Sequence, residues 1–183
     1  MYSDWRDVPI PGRLARRPRD KRGYPIPAMV LIKADGTPDF RVTDVEKWVK
    51  ACNERTCALC GEQLGRHLAF VGGPRVHENR LFTDLPMHLE CAEYALRVCP
   101  YIAVPNFKYA NALPDVGEGV SLRVAAEVEV ARPDRFMLGI TRSYQVVMLP
   151  GGGSYAVRAA PWEQVAWWQD GKCLEVLSLA GAR

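Results

Sequence analysis

The sequence predicts a mixed α+β protein organised around a small metal-bound module in the middle of the chain. Three observations carry this prediction: two short pairs of metal-ligand residues, amphipathic helical patterns beside them, and alternating segments in the last third. The chain has 183 residues, of which 48% are hydrophobic and 25% are charged, as in ordinary globular proteins. A chain of this length buries roughly 70% of its unfolded surface. These values exclude a disordered, collagen-like or coiled-coil protein.

The N-terminal segment is predicted to be a basic, flexible arm over residues 1–23. Residues 1–24 contain seven basic and three acidic side chains, a net charge of +4, whereas the remaining 159 residues carry −1. Such an arm suits contacts with phosphate groups, which are electrostatic and independent of sequence. The alternative is a solvated leader that binds nothing. The residues expected to contact nucleic acid here are Arg13, Arg16, Arg17, Arg19, Lys21 and Arg22.

A hairpin and a helix are expected at the start of the second region, which spans residues 24–103. Strands over Ala28–Lys33 and Asp39–Val42 flank an Asp-Gly dipeptide, which is a strong hairpin signal. A capping box from Thr43 to Glu46 then predicts the start of a helix. The helix should end near Asn53, and its apolar face carries Val45, Trp48, Val49 and Cys52.

The first pair of metal-ligand residues is the turn Cys57-Ala58-Leu59-Cys60-Gly61. Two thiolates three residues apart on a tight turn can point at the same ion. A glycine after the second cysteine lets the turn close without a clash from a side chain.

The second pair is His88 and Cys91, which we place at the start of a helix over Pro86–Val98, with Asp84 as its N-cap. Residues three apart share one face of a helix, and the N-terminus of a helix favours a thiolate. The 27 residues between the pairs contain strand patterns at Leu68–Val71 and Arg80–Thr83, which predict a β-hairpin. Three cysteines and one histidine form the tetrahedral donor set that zinc prefers, so we expect one structural zinc.

The order of turn, hairpin and helix resembles the treble-clef zinc fingers over about residues 55–99. A wider pattern, from Gly23-Tyr24-Pro25 to Cys99-Pro100-Tyr101, resembles a family of small uncharacterised proteins encoded by bacteria and their phages. That resemblance implies zinc binding and no established reaction.

The remaining cysteines are interpreted as structural. Cys52 lies on an apolar helix face, Cys99 is too far along its helix to reach the ion, and Cys173 is isolated. The sequence contains no secretory signal and no apolar stretch of about 18 residues, so we expect a cytoplasmic protein without disulfides or a membrane contact. The alternative to a metal site is two unrelated cysteine pairs that pack as small hydrophobic groups.

The C-terminal third is expected to form a small β region. A linker-like loop over residues 104–121 leads into a small antiparallel region over residues 122–183. Strands are predicted at Leu122–Val130, Phe136–Thr141, Tyr144–Leu149 and Tyr155–Arg158, a glycine turn near residue 152, and a helix over Pro161–Gln169. That helix carries three tryptophans that are candidate anchors for a protein partner, unless they complete a small core: Trp162, Trp167 and Trp168.

Three functions remain open at this point. The first is a zinc-stabilised binding module that contacts nucleic acid through the arm and through Arg55, Arg66, Arg75 and Arg80 near the knuckle. The second is a protein–protein adaptor that uses the tryptophans, for example a phage protein acting on host machinery. The third is a nuclease of the His-Asn-His type, built from His67, His77 and Asn79. No phosphate-binding loop or nucleophile motif is present, so we expect no small-molecule cofactor.

Overall fold

The mixed α+β class is confirmed by a computed structural model that describes residues 5–105, 132–149 and 155–179. Within these ranges the chain forms five α-helices and nine β-strands. The predicted strand Leu122–Val130, the glycine turn near residue 152 and all but the first two residues of the predicted linker lie outside the described residues.

The N-terminal segment contacts the body of the protein from residue 5 onwards. The flexibility of the arm stays a prediction. Trp5–Asp7 forms one 3-10 turn, and helix α1 (Gly12–Ala15) follows. Leu14 on α1 is only 3% exposed and joins the main hydrophobic core. Burial of one leucine stabilises a fold by roughly 1.5–3 kcal/mol. A single leucine among arginines has no apolar periodicity, which is why the pattern did not predict this contact.

The predicted hairpin and helix are present after this segment. Strands β1 (Val30–Ile32) and β2 (Pro38–Thr43) pair in antiparallel fashion, and helix α2 (Val45–Glu54) follows. The N-cap is Asp44 and not Thr43, because the Asp44 carboxylate accepts a hydrogen bond from the backbone N–H of Lys47 at 3.2 Å. The capping prediction was therefore displaced by one residue.

The predicted β-hairpin between the two ligand pairs does not form. Strand β3 (Leu68–Gly72) and strand β4 (Leu81–Phe82) are joined by helix α3 (Pro74–Asn79) and lie in different sheets. Pro74 takes the first helical position, where its missing N–H costs nothing. A Cβ atom at Gly72 would lie 2.5 Å from Cγ2 of Val76, so the glycine lets α3 fold back onto β3. The treble-clef arrangement is therefore not confirmed.

The second helix begins later than predicted. Helix α4 (Leu89–Val98) starts after His88, which is its N-cap, so neither Asp84 nor Pro86 begins it. Pro100 ends α4 and also opens the short helix α5 (Pro100–Ala103). Five residues of α4 are buried, and this face packs on the sheets: Cys91, Ala92, Tyr94, Leu96 and Val98.

Two antiparallel sheets are completed by the last third of the chain. The four-stranded sheet has the order β3-β5-β8-β9, and the three-stranded sheet has the order β4-β7-β6. The strands are β5 (Phe136–Thr141), β6 (Tyr144–Met148), β7 (Tyr155–Ala159), β8 (Gln164–Gln169) and β9 (Lys172–Ser178). Because β3 pairs with β5 and β4 with β7, residues before and after the predicted linker share both sheets.

The predicted tryptophan-rich helix is strand β8 and its lead-in. Asp170 and Gly171, with φ angles of 49° and 76°, form the turn from β8 to β9. Two positive φ angles in an Asp-Gly turn are typical of a tight hairpin. Aromatic and β-branched residues favour strands when neighbours cover both edges, as β5 and β9 do here. The helical spacing of apolar residues in this segment was therefore coincidental.

Candidate metal centre

The four predicted ligands come together in one buried cluster. The donor atoms of Cys57, Cys60, His88 and Cys91 all lie within 4.8 Å of one another, and all four residues are buried. Among the described residues no other group of His, Cys, Asp and Glu forms such a cluster. All six cysteines are free, so no disulfide competes for these thiols.

The first two ligands are positioned by a tight knuckle. The backbone N–H of Gly61 donates to the carbonyl of Cys57 at 2.9 Å, and the N–H of Cys57 donates to the carbonyl of Glu62 at 2.8 Å. Gly61 has a φ angle of 78°, a conformation that residues with a Cβ rarely adopt. The N–H of Glu62 points at Sγ of Cys60 at 3.5 Å. These bonds direct both thiols to the same side of the turn.

The other two ligands flank the start of α4. His88 is the N-cap, and Cys91 lies in the first turn, where unpaired backbone N–H groups favour negative charge. Nδ1 of His88 lies 3.4 Å from Sγ of Cys60, and Nε2 lies 3.0 Å from the carbonyl oxygen of Gln63. A proton on Nε2, donated to Gln63, leaves the lone pair of Nδ1 for a metal. The knuckle therefore also orients the histidine ligand.

The three thiols change one another's pKa values because they are close together and buried. Hydrogen bonds from the Cys60 and Cys91 thiols lower the pKa of Cys57 well below that of a free thiol. The bond to the Cys57 thiolate raises the pKa of Cys60 to about 11, and it also raises the pKa of Cys91. One thiolate thus opposes the formation of the next, and a divalent cation is what stabilises all three together.

The donor set fits one metal ion of the zinc type. Three thiolates and one imidazole match the tetrahedral S₃N set that zinc prefers, with no position left for water or substrate. The other cysteines lie elsewhere: Cys52 on α2, Cys99 between α4 and α5, and Cys173 on β9. Burial raises the pKa of Cys52 to about 11, which disfavours its thiolate form.

The outer side of the knuckle is covered by the N-terminal segment. Arg13 donates to Glu62 at 2.6 Å and to Glu90 at 2.9 Å, and Arg16 also pairs with Glu62. The N–H of Ala28 donates to the carbonyl of Leu59 at 2.9 Å. The spacing of the metal ligands did not predict that these two glutamates bind the N-terminal segment. Glu62, an acid two residues after Cys60 in a chain with a basic N-terminal segment, was the sequence feature that could have predicted it.

The predicted nucleic-acid residues fall into separate places. Arg13, Arg16 and Arg22 are paired with acids, and the side chain of Arg17 donates to the carbonyl of Ile26 at 3.0 Å. Arg19 and Lys21 are exposed in the loop that follows α1. Four others are distributed over the ends of α2 and α3 and the loop before β3, so they do not form part of the arm: Arg55, Arg66, Arg75 and Arg80.

The three tryptophans are buried and therefore do not form a surface anchor. Trp162, Trp167 and Trp168 are between 4 and 8% exposed and belong to the main core. Adjacent residues of a strand point to opposite faces, and both faces of β8 are covered in this protein. The alternative that the tryptophans complete a core is the one that the structure favours.

The three residues of the nuclease hypothesis have other partners. The Asn79 side chain accepts a hydrogen bond from the N–H of Leu81 at 2.9 Å, and the His77 ring contacts Trp167 with 5.6 Å between centroids. His67 lies 3.9 Å from Glu163, at the start of the four-stranded sheet. None of these side chains belongs to the metal cluster.

Comparison with protein-family models, with curated proteins and with solved structures finds no match for this chain. The resemblance to bacterial and phage proteins therefore stays a prediction. Within the described residues, no helix is long and apolar enough to cross a membrane.

Proposed function

We propose that the protein is a zinc-stabilised binding module without catalytic activity, and that its partner is nucleic acid. One observation carries the first part: all four donors of the Cys₃His cluster are buried, so a tetrahedral zinc bound there has no open position. Catalytic zinc sites keep such a position for water. The role of this zinc is then to hold the knuckle to the start of α4.

The proposal for nucleic acid is supported by charge. The positive charge of the chain is concentrated in residues 1–24, and part of this segment lies beside the knuckle, where Arg13 bonds to Glu62. Arg13 and Arg16 are engaged with glutamates there, so the knuckle itself is a poor candidate surface. Arg19 and Lys21 in the following loop are exposed and suit phosphate contacts better.

Removal of two charges from this loop tests the proposal. We expect Arg19→Gln/Lys21→Gln to weaken binding to an oligonucleotide and to make the negative slope of log affinity against log salt shallower by about 1.4–1.8. The matched control is Lys50→Gln/Lys172→Gln, which removes two exposed charges elsewhere and should leave the slope unchanged. Fluorescence anisotropy at several salt concentrations measures both. Wild-type protein that binds neither single-stranded nor double-stranded DNA or RNA at low salt would refute the proposal.

A second candidate function is self-association through β9. This strand is the edge of its sheet within the described residues, and all seven of its residues are exposed. The N–H of Leu179 donates to the carbonyl of Glu163. Hydrogen bonds to β8 alternate along the strand, so the backbone N–H and C=O of Val176 point away from β8. Antiparallel pairing with a second copy, centred on Val176, brings valine against valine and places no like charges opposite each other.

Substitution at the centre of that pairing tests self-association. In a β9–β9 dimer, Val176→Lys places two lysines directly opposite each other, so we expect the dimer to dissociate. Val146→Lys introduces the same exposed charge on β6 and should keep the dimer. Analytical ultracentrifugation over a range of concentrations gives the result. A wild-type monomer at the highest soluble concentration would refute this second candidate.

A further inference from the structure

A ladder of aromatic rings and guanidinium groups lies on the N-terminal side of the protein. The rings of Trp5 and Tyr24 are stacked at 3.9 Å with an angle of 22° between their planes. The guanidinium of Arg6 lies 4.9 Å from the Trp5 ring, and that of Arg22 lies 5.0 Å from Tyr24 and 5.3 Å from Phe40. The ladder therefore joins two separate parts of the chain, residues 5–24 and strand β2.

The position of Arg22 in this ladder is fixed by Asp20. Oδ2 of Asp20 accepts from Nε of Arg22 at 2.7 Å. Oδ1 of the same carboxylate accepts from the backbone N–H groups of Arg22 and Tyr24, both at 2.9 Å. One carboxylate thus positions both the guanidinium of Arg22 and the backbone of Tyr24, and this guanidinium lies over the rings of Tyr24 and Phe40.

The end of the ladder at Phe40 is accessible. Phe40 lies on β2 and is 37% exposed. The residue before it, Asp39, is buried and paired with Arg41. Lys33 lies beside the same carboxylate, with 3.6 Å between Nζ and Asp39. The guanidinium of Arg22 lies over the Phe40 ring, and the exposed part of the ring is apolar area that a partner can cover. It is the arrangement on which a further planar group can stack.

We propose that this ladder binds single-stranded nucleic acid, with a base stacked on Phe40 and phosphates beside Lys21. This inference rests on the proposed function and specifies its ligand. Base stacking on aromatic side chains, combined with positive charge along the backbone, is how proteins bind single strands without sequence preference. A duplex keeps its bases stacked on each other, so it offers only phosphates to this surface. The protein therefore prefers a single strand.

The test compares Phe40→Ala with Phe40→Tyr on an oligothymidylate of about 15 nucleotides and on a duplex of the same length. We expect wild-type protein to bind the single strand more tightly than the duplex at equal salt. Phe40→Ala should weaken binding to the single strand by about tenfold, and Phe40→Tyr should restore it, because tyrosine presents the same ring face. The salt slope should stay unchanged in both variants, since no phosphate contact is removed.

Control measurements separate failure of this inference from failure of the proposed function. Val45→Ala removes another exposed apolar side chain, on α2, and should leave the affinity unchanged. Zinc content and the unfolding temperature of each variant show that the fold is intact. Equal binding of single strand and duplex, with no effect of Phe40→Ala, would overturn the ladder proposal and leave general nucleic-acid binding in place. No binding to either probe would overturn both.

Discussion

Replacing Cys57 and Cys91 by serine together should remove zinc from the protein and with it the soluble folded state. Each substitution takes one thiolate from a different half of the site, so neither the knuckle nor the start of α4 can hold the ion. Structural zinc contributes apparent binding free energies of about 10–16 kcal/mol in small fingers. Ordinary domains have a free energy of unfolding of only about 5–15 kcal/mol. The loss of the ion is therefore comparable to the whole stability of a fold.

The loss should spread beyond the site because the ligands lie within the main core. Cys57 and Cys91 are both completely buried and pack in the same cluster as Leu68 and Phe70 of β3. Without the ion, three close thiols in a buried space cannot all be ionised, and the side chains that surround them lose their arrangement. We expect the double variant to show no cooperative unfolding transition.

Mass spectrometry of the purified proteins measures the metal directly. Wild-type protein should carry about one zinc per chain, and so should the control Cys52→Ser/Cys173→Ser, which removes two thiols outside the cluster. Should the Cys57/Cys91 variant be insoluble, titration of wild-type thiols with a mercurial reagent replaces it, and zinc should be released as the buried thiols react. Retention of one zinc by the double variant, or its absence from wild type, would contradict the assignment.

The metal ligands could be predicted because each pair is local in sequence. A spacing of three residues within one turn fixes where two side chains point, whatever the rest of the chain does. The two pairs form one site provided that the residues between them bring His88 and Cys91 back to the knuckle, and they do so. The particular path of those residues was not needed for the prediction.

The path was the part that could not be predicted, because strand pairing depends on distant residues. The segments at β3 and β4 have strand character, and neighbouring strands usually pair with each other. Here β5 and β7, more than 60 residues later in the chain, provide the partners. Gly72-Gly73-Pro74 is consistent both with a hairpin turn and with the start of a helix, so local sequence leaves this choice open.

The sequence pattern did not predict strand β8, for a related reason. Its sequence carries buried residues on both faces, so it lacks the alternation that identifies a half-buried strand. The Asp170-Gly171 turn that follows was the local signal that favoured a hairpin, and it outweighs an apparent helical period over only a few residues.

Replacing Trp162 by alanine should produce the second largest effect, a loss of about 3–5 kcal/mol in the free energy of unfolding. The ring lies edge-on to Phe70 and Phe82, with centroid distances of 6.2 and 5.9 Å. It thereby packs between β3 and β4, which do not pair with each other. The indole N–H also donates to the carbonyl of His77 at 3.1 Å, so its removal leaves a partly buried acceptor without this partner.

This prediction separates the two interpretations of the tryptophans. A surface anchor can be truncated with little change in stability, usually within about 0.5 kcal/mol. A core residue of this size cannot, and for a domain of this length the melting temperature should fall by roughly 10 °C.

Thermal unfolding followed by circular dichroism measures the difference. Met148→Ala on exposed β6 is the control and should leave the melting temperature almost unchanged. Trp162→Phe should recover much of the stability, because the phenyl ring refills most of the space between the two sheets, whereas the hydrogen bond to His77 stays lost. A Trp162→Ala protein that melts with wild type would show that the ring is not a core residue.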